Sequence, residues 1–347
     1  MPTQNRVKIV IAGCGRITEQ HHLPAALRSN LVDVIALVDS NSARVHAVAR
    51  KYALHVPSTA CLDDALEGAD GVLVATPNRT HAPLAKIAIA RKVPVLIEKP
   101  LACSYAEAQE LCRLAEQNGT FIAVGFHTRY YPNVMLMKES IERGVLGRIR
   151  SFHYEFGTRG GWAPVSGFNL DKRQSGGGVL IDSGSHFIDR MLYWFGSPAG
   201  FEYEDDSYGG VEANCRCRLR FDHSLGPIEG TIVLSKTMVL QNKVSIFTDD
   251  YTCELGEAEP ELLTLYPRST PGVRMTMGND APSPKSRTDY YQLQIEDFAR
   301  AILEGARPRV DGWSSARSVE LIEQMYVRRR QMDEPWLLDG RRLEIAG

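Results

Sequence analysis

Val7-Lys8-Ile9-Val10-Ile11-Ala12-Gly13-Cys14-Gly15-Arg16-Ile17-Thr18 is the stretch whose reading decides the fold. An apolar, β-branched run ends in Gly-x-Gly, and a helix-like segment over 19–27 follows. A second apolar run, Asp33-Val34-Ile35-Ala36-Leu37-Val38, stops at Asp39. Strand, glycine turn, helix, strand and terminal acid form the order that binds a dinucleotide in a parallel α/β unit. Gly13 allows the tight turn. Gly15 lets a pyrophosphate approach backbone N–H groups at a helix N-terminus. Asp39, roughly 20 residues past the glycines, is placed to accept hydrogen bonds from an adenosine ribose. Thr18 departs from the fingerprint, standing where glycine or alanine is usual. It is small enough to keep helix and sheet close, and its hydroxyl suits a helix N-terminus. A tight turn in some other α/β protein is the competing reading, and the order of the surrounding elements weighs against it.

Outward from this stretch the same rhythm continues. Helical patterns over 41–51, 63–66, 80–91 and 104–118 alternate with apolar strands over 70–75, 93–97 and 120–124. The alternation predicts an α/β domain over 1–125 with a doubly wound parallel sheet. From Phe126 the pattern changes. A helix over 132–143 leads to a long strand over 147–156, and a helix over 179–195 is followed by strand-like runs over 211–221, 228–234, 243–248 and 262–265. Strands in succession predict a second, α+β domain over 126–347 with a large, mostly antiparallel open sheet. Between them, 157–178 is rich in glycine and polar residues and holds Trp162 and Arg173. It is too long for a plain connection and reads as a lid or substrate loop. The span 267–287 reads as a loop, and helices over 289–304 and 314–331 close the chain.

Composition bounds the function. A chain of 347 residues favours two domains. A formal net charge of −2 gives no electrostatic case for nucleic acid or a membrane surface. No apolar run approaches the ~20 residues that span a bilayer, and no signal-peptide core is evident, so a cytoplasmic location is expected. The seven cysteines are scattered, and Cys215-x-Cys217 has no companion pair, so neither a metal site nor a disulfide framework is expected.

Two groups of residues suggest chemistry. Glu98-Lys99-Pro100 follows a predicted parallel strand, at the edge where open α/β sheets bind ligands. A lysine there can hydrogen-bond a substrate oxygen and stabilise its charge, although a surface lysine beside a turn proline is the more ordinary reading. Asp182 and His186, four residues apart on a predicted helix, share one face. A carboxylate and an imidazole so placed form a proton-transfer pair. The flanking Leu180, Ile181, Phe187 and Ile188 mark this helix as buried, and an ordinary solvated polar face does not account for it.

Taken in order, Ala12-Gly13-Cys14-Gly15-Arg16-Ile17, Thr76-Pro77-Asn78 with His81, Glu98-Lys99-Pro100 and Asp182-x-x-x-His186 resemble the Gfo/Idh/MocA oxidoreductase family, which includes inositol dehydrogenases and glucose–fructose oxidoreductases. The resemblance implies a Rossmann domain followed by an α+β domain, and NAD(P)-dependent hydride transfer to or from a sugar, polyol or related cyclic hydroxy or keto compound. It implies Lys99 as the catalytic lysine, His186 as general acid and base, and Asp182 as the residue orienting substrate or histidine. Gly13, Gly15, Arg16 and Ile17 would line the pyrophosphate and Asp39 the adenosine ribose. Thr76, Asn78, His81 and Glu98 would surround the nicotinamide half. Arg129, Trp162 and Arg173 are substrate-contact candidates. Asp39 favours NAD, while Arg44 leaves NADP open. Some relatives look like lyases or glycosidases that recycle a retained NAD. A non-catalytic dinucleotide sensor is a third reading, against which Lys99 and the Asp182/His186 pair both speak. A homodimer or homotetramer is expected through the open sheet.

Overall fold

In a computed structural model the chain is described over residues 6–160, 167–278, 284 and 286–332. Among these residues two sheets form. The first has strands β1 (Val7–Ala12), β2 (Val32–Val38), β3 (Ser58–Thr59), β4 (Gly71–Val74), β5 (Val95–Ile97) and β6 (Ile122–Val124), all parallel, in the order β3-β2-β1-β4-β5-β6. The order reverses between β1 and β4, which opens a crevice at the carboxyl ends of those strands. Strand β1 is buried on both faces: Val7, Ile9 and Ile11 feed one core, Val10 and Ala12 the other. That double burial is why its sequence is a near-continuous apolar run.

The second sheet contains β7 (Ile149–Gly157), β8 (Gly200–Asp205), β9 (Asn214–Phe221), β10 (Ile228–Ser235), β11 (Lys243–Thr248), β12 (Tyr251–Gly256), β13 (Leu263–Pro267), β14 (Met275–Met277) and β15 (Arg330–Gln331). Their order is β14-β13-β12-β11-β7-β10-β9-β8-β15. Pairing is antiparallel except for β7 with β10 and β8 with β15, so the sheet is mixed and mostly antiparallel, as expected.

Several elements differ from the sequence reading. Strands β3, β8, β12, β14 and β15 were not expected, and β14 lies inside the span read as a loop. The helix expected over 19–27 begins as a π turn, Thr18–His22, before the α-helix Leu23–Arg28. The helix expected over 179–195 likewise starts as a π turn, Leu180–Gly184, and continues as the α-helix Ser185–Phe195. The helix Arg287–Glu304, expected with the second domain, packs on the first sheet: Ile295 and Phe298 share a core with Val7, Ile9 and Ile11. A methyl group added at Gly71 of β4 would lie 2.8 Å from the Phe298 ring, so this glycine lets the returning helix settle on the sheet. The helix Ser185–Phe195 packs on the second sheet, with Phe187 against Tyr154 and Phe195 against Phe152 of β7. Its N-terminal end meets the carboxyl edge of the first sheet, where His186 packs on Phe126 just past β6.

Candidate active site

A cleft of about 1330 Å³ runs along that edge and is walled by both sheets. At one end lies the glycine turn. Gly13 has φ of +100°, and a Cβ there would come 2.3 Å from the Ala75 carbonyl oxygen, so only glycine fits. Gly15 differs: a Cβ there would meet no protein atom within 4 Å. The Gly15 backbone therefore faces open cleft, where a pyrophosphate can approach it. Thr18, fully buried, donates its hydroxyl to the Gly13 carbonyl at 2.6 Å. That bond closes the turn on itself.

Asp39, just after β2, accepts from Cys14 N–H at 2.7 Å and from Asn41 N–H at 2.8 Å. Its carboxylate is thus fixed beside the turn. Arg44 donates to the Cys14 carbonyl at 3.1 and 2.8 Å and pairs with Glu19 at 3.0 Å. Glu19 also pairs with Lys51, and the hydrogen bonds from these two cations hold its carboxyl below the usual range.

Beyond the turn the cleft passes Arg16, Ile17, Thr76, Asn78, His81 and Glu98. His81 is wholly buried and spans the Pro100 and Thr76 carbonyls at 2.7 and 2.9 Å. It therefore ties β4's end to β5's end. Burial lowers its pKa, against the pull of those carbonyls. Glu98 contacts His22 at 2.7 Å, and Gly125 leaves room for its side chain, since a Cβ there would sit 3.1 Å from the carboxylate. Burial alone would raise the Glu98 carboxyl, but the His22 hydrogen bond and charge outweigh it and hold it low.

At the far end Lys99 Nζ donates to the Asp182 carbonyl at 2.5 Å and lies 3.4 Å from its carboxylate. Lys236, which follows β10, reaches the other Asp182 oxygen at 3.1 Å. Burial would raise the Asp182 carboxyl; the two lysine charges reverse this and hold it well below the carboxylate range. His186 lines the same cleft, with Nδ1 3.5 Å from Thr128 Oγ1 and its ring edge-on to His127. Burial lowers its pKa well below that of a free histidine, and the Lys99 and Arg287 charges push it the same way. The imidazole is therefore neutral at neutral pH. Asp182 and His186 do share the cleft, but the carboxylate bonds the lysines rather than the imidazole, because the π turn under Asp182 carries it toward Lys99.

The three substrate-contact candidates fare differently. Arg129 is buried in a two-point ion pair with Asp189, at 2.5 and 2.9 Å, and its guanidinium stacks 4.0 Å from the Tyr193 ring. It does not line the cleft: a carboxylate sixty residues away has claimed it. Arg173 points into solvent and pairs with its neighbour Asp171, also off the cleft, because the short helix Lys172–Ser175 turns it outward. Trp162 lies outside the described residues.

The structure adds residues that the sequence reading passed over. His127 and Thr128 follow β6, so the strand-end rule that singled out Lys99 also points to them. Lys236 follows β10 of the second sheet, which that rule does not cover. Arg287 and Tyr291 come from the helix Arg287–Glu304, with Tyr291 stacked between His127 and His21 at 4.5 and 4.9 Å. No local signal marks them, since their place depends on that helix returning to the first sheet. Among the described residues no group of three or more His, Cys, Asp or Glu side chains is arranged to hold a metal ion, and no helix is long and apolar enough to cross a membrane.

Residues 7–126 match the oxidoreductase family described as Gfo/Idh/MocA with an NAD-binding Rossmann fold, and residues 138–333 match its C-terminal α/β domain. The chain belongs to the Gfo/Idh/MocA oxidoreductase family. Among curated relatives it is 30% identical over 202 residues to D-glucoside 3-dehydrogenase of Escherichia coli, covering 57% of this chain and 56% of the relative. It is also 30% identical over 200 residues to the rhizopine catabolism protein MocA of Rhizobium meliloti, covering 56% and 60%. These matches thus span little more than half the length of either relative. Its fold is that of levoglucosan dehydrogenase solved with NADH and levoglucosan, with TM-score 0.82 and 19% identity over 93% of this chain and 97% of that one. Aldose–aldose oxidoreductase from Caulobacter crescentus, solved with glycerol, gives TM-score 0.80 and 21% identity over 93% and 97%.

Proposed function

We propose that this chain is a dehydrogenase that moves hydride between NAD and a carbon bearing a hydroxyl or keto oxygen in a sugar, polyol or related cyclic compound. The observation that carries the reading is the convergence of Lys99, Asp182 and His186 in the cleft that begins at the glycine turn. The D-glucoside 3-dehydrogenase and levoglucosan dehydrogenase similarities support the substrate class.

The open approach to Gly15, the fixed Asp39 carboxylate and the polar run from Thr76 to Glu98 fit a dinucleotide with its adenosine at Asp39. Such a group, when bound, supplies the hydride acceptor. The remaining work falls to the chain's own side chains. Lys99 presents its ammonium to the substrate oxygen and stabilises negative charge as it develops there. Asp182, itself ionised, fixes that ammonium through two contacts. His186, neutral and turned by Thr128 at Nδ1, has Nε2 left to accept the hydroxyl proton. In the reductive direction the imidazolium returns that proton.

NAD is the preferred cofactor in this reading. Asp39 would repel a 2′-phosphate, and Arg44, the cation nearest in sequence, is already bound to the Cys14 carbonyl and Glu19. Steady-state kinetics with both cofactors across sugars, sugar acids and inositols test it. A kcat/KM with NADP equal to that with NAD would overturn the preference, and no turnover with either cofactor on any of these compounds would remove the reading.

A further inference from the structure

The helix that carries Asp182 and His186 starts without a cap of its own. Gly176-Gly177-Gly178 precedes it, so no local side chain is available for the N–H groups that every helix leaves unpaired at its start. One distant residue meets three of them. Glu212, from the connection between β8 and β9, takes Gly178 N–H at 2.8 Å and Leu180 N–H at 2.9 Å on its two carboxylate oxygens. Its backbone carbonyl takes Val179 N–H at 2.9 Å. Tyr326, on the helix Gly312–Val327, donates its phenol to the same carboxylate at 2.7 Å.

The glycine run follows from this arrangement. A Cβ at Gly178 would lie 2.0 Å from the Glu212 carbonyl, and one at Gly177 would lie 2.2 Å from the Tyr326 oxygen. Glu212 itself is 1% exposed, so this carboxylate is held in the interior for its bonds and not for solvation. The helix starts directly into the π turn Leu180–Gly184, and that turn decides where Asp182 points. Its carbonyl and carboxylate together anchor Lys99, and its second oxygen anchors Lys236.

We propose that Glu212 is a positioning residue for the reaction: its carboxylate, braced by Tyr326, sets the start and register of the helix bearing Asp182 and His186. The proposal rests on the dehydrogenase reading for its effect on rate, and on the cap alone for its effect on the backbone. Removing the cap lets the π turn relax, and Asp182 no longer holds Lys99 at the substrate oxygen. Displacements on the order of 1 Å at a reacting centre cost about 100-fold in rate, so a partial loss of register is expected to cost about tenfold or more.

The test compares wild type with Glu212→Gln and Tyr326→Phe, and with Leu219→Ala in β9 as a destabilised control remote from the cap. Three quantities are read: amide hydrogen exchange over 178–186, the NAD dissociation constant, and kcat with KM for the turned-over sugar. Glu212→Gln is expected to speed exchange over 178–186, leave NAD affinity within about twofold, and lower kcat about tenfold or more. Tyr326→Phe keeps the carboxylate and is expected to show a smaller effect of the same pattern. It also serves if Glu212→Gln fails to fold. Leu219→Ala is expected to lower Tm while kcat stays near wild type. Unchanged exchange in Glu212→Gln would show that the carboxylate is not the cap, even if no substrate is ever found. Faster exchange with normal kcat, or an equal kcat loss in Leu219→Ala, would show that the cap serves stability alone.

Discussion

Gly13 and Gly15 stand two residues apart, and the structure assigns them opposite tests. At Gly13, alanine would enter a backbone with φ of +100° and place its Cβ 2.3 Å from the Ala75 carbonyl oxygen. The left-handed backbone costs roughly 1–2 kcal/mol and forcing a methyl into a packed site roughly 1–3 kcal/mol more. For a chain of 347 residues a loss of about 2–5 kcal/mol corresponds to a Tm drop on the order of 3–7 °C. At Gly15 the Cβ meets no protein atom within 4 Å, so Gly15→Ala should change stability by no more than about 0.5 kcal/mol. Its methyl would instead occupy the space through which a pyrophosphate reaches the backbone. A tenfold weaker Kd is about 1.4 kcal/mol. At an NAD concentration about 100 times the wild-type Kd, wild type should gain ~2.7 kcal/mol from binding and a tenfold-weakened variant about half of that. Thermal unfolding with and without NAD, joined to a fluorescence titration of NADH, reads both quantities. Gly15→Ala with wild-type affinity would refute the placement of the pyrophosphate, and Gly13→Ala with wild-type Tm would refute the steric reading of the turn.

Other outcomes follow from the cleft. Lys99→Met should lower kcat about 100- to 1,000-fold, the usual cost of removing a group that stabilises developing charge, with NAD affinity in a titration near wild type. Arg129→Ala should destabilise by about 3–5 kcal/mol in denaturant unfolding, because it leaves Asp189 buried without its partner; the sugar KM of the folded fraction should not move. Burial lowers the pKa of His81, His127 and His186 in the fold. Between those lowered values and the ordinary histidine value of about 6.5, the unfolded chain binds more protons, so stability rises with pH there. It should be fully present above about pH 7 and fall on acidification below about 6.5, and a His127→Phe variant should show a shallower fall in Tm. The acid limb of kcat should lie below the free-histidine range, since His186 stays neutral there.

Much of the fold could be read locally. Gly13, Asp39 and Lys99 sit at strand ends, where the apolar run stops and the chemistry-bearing side chain begins, and the alternation before Phe126 indicates a parallel, doubly wound sheet but not its strand order. The missed strands β8 and β12 carry polar side chains on an outward face, such as Glu202 and Glu254, which dilute the apolar signal. Arg129 looked like a substrate contact because its partner Asp189 is sixty residues away, and Glu212 was invisible because a cap taken from a distant connection leaves no spacing to read. The Asp182/His186 spacing predicts one shared cleft, and both residues line one, but the π turn directs the carboxylate to Lys99 and Lys236, and local spacing does not encode a π turn.

Net reduction of the cofactor is the most direct test of the proposed chemistry. The purified protein would be incubated with excess NAD and each of a panel of sugars, sugar acids, inositols and nucleotide sugars, and NADH followed by absorbance. The expected result is NADH accumulating in step with a keto product for at least one compound, and its loss in Lys99→Met. Product formed with no net NADH, or NADH formed equally well by Lys99→Met, would contradict it.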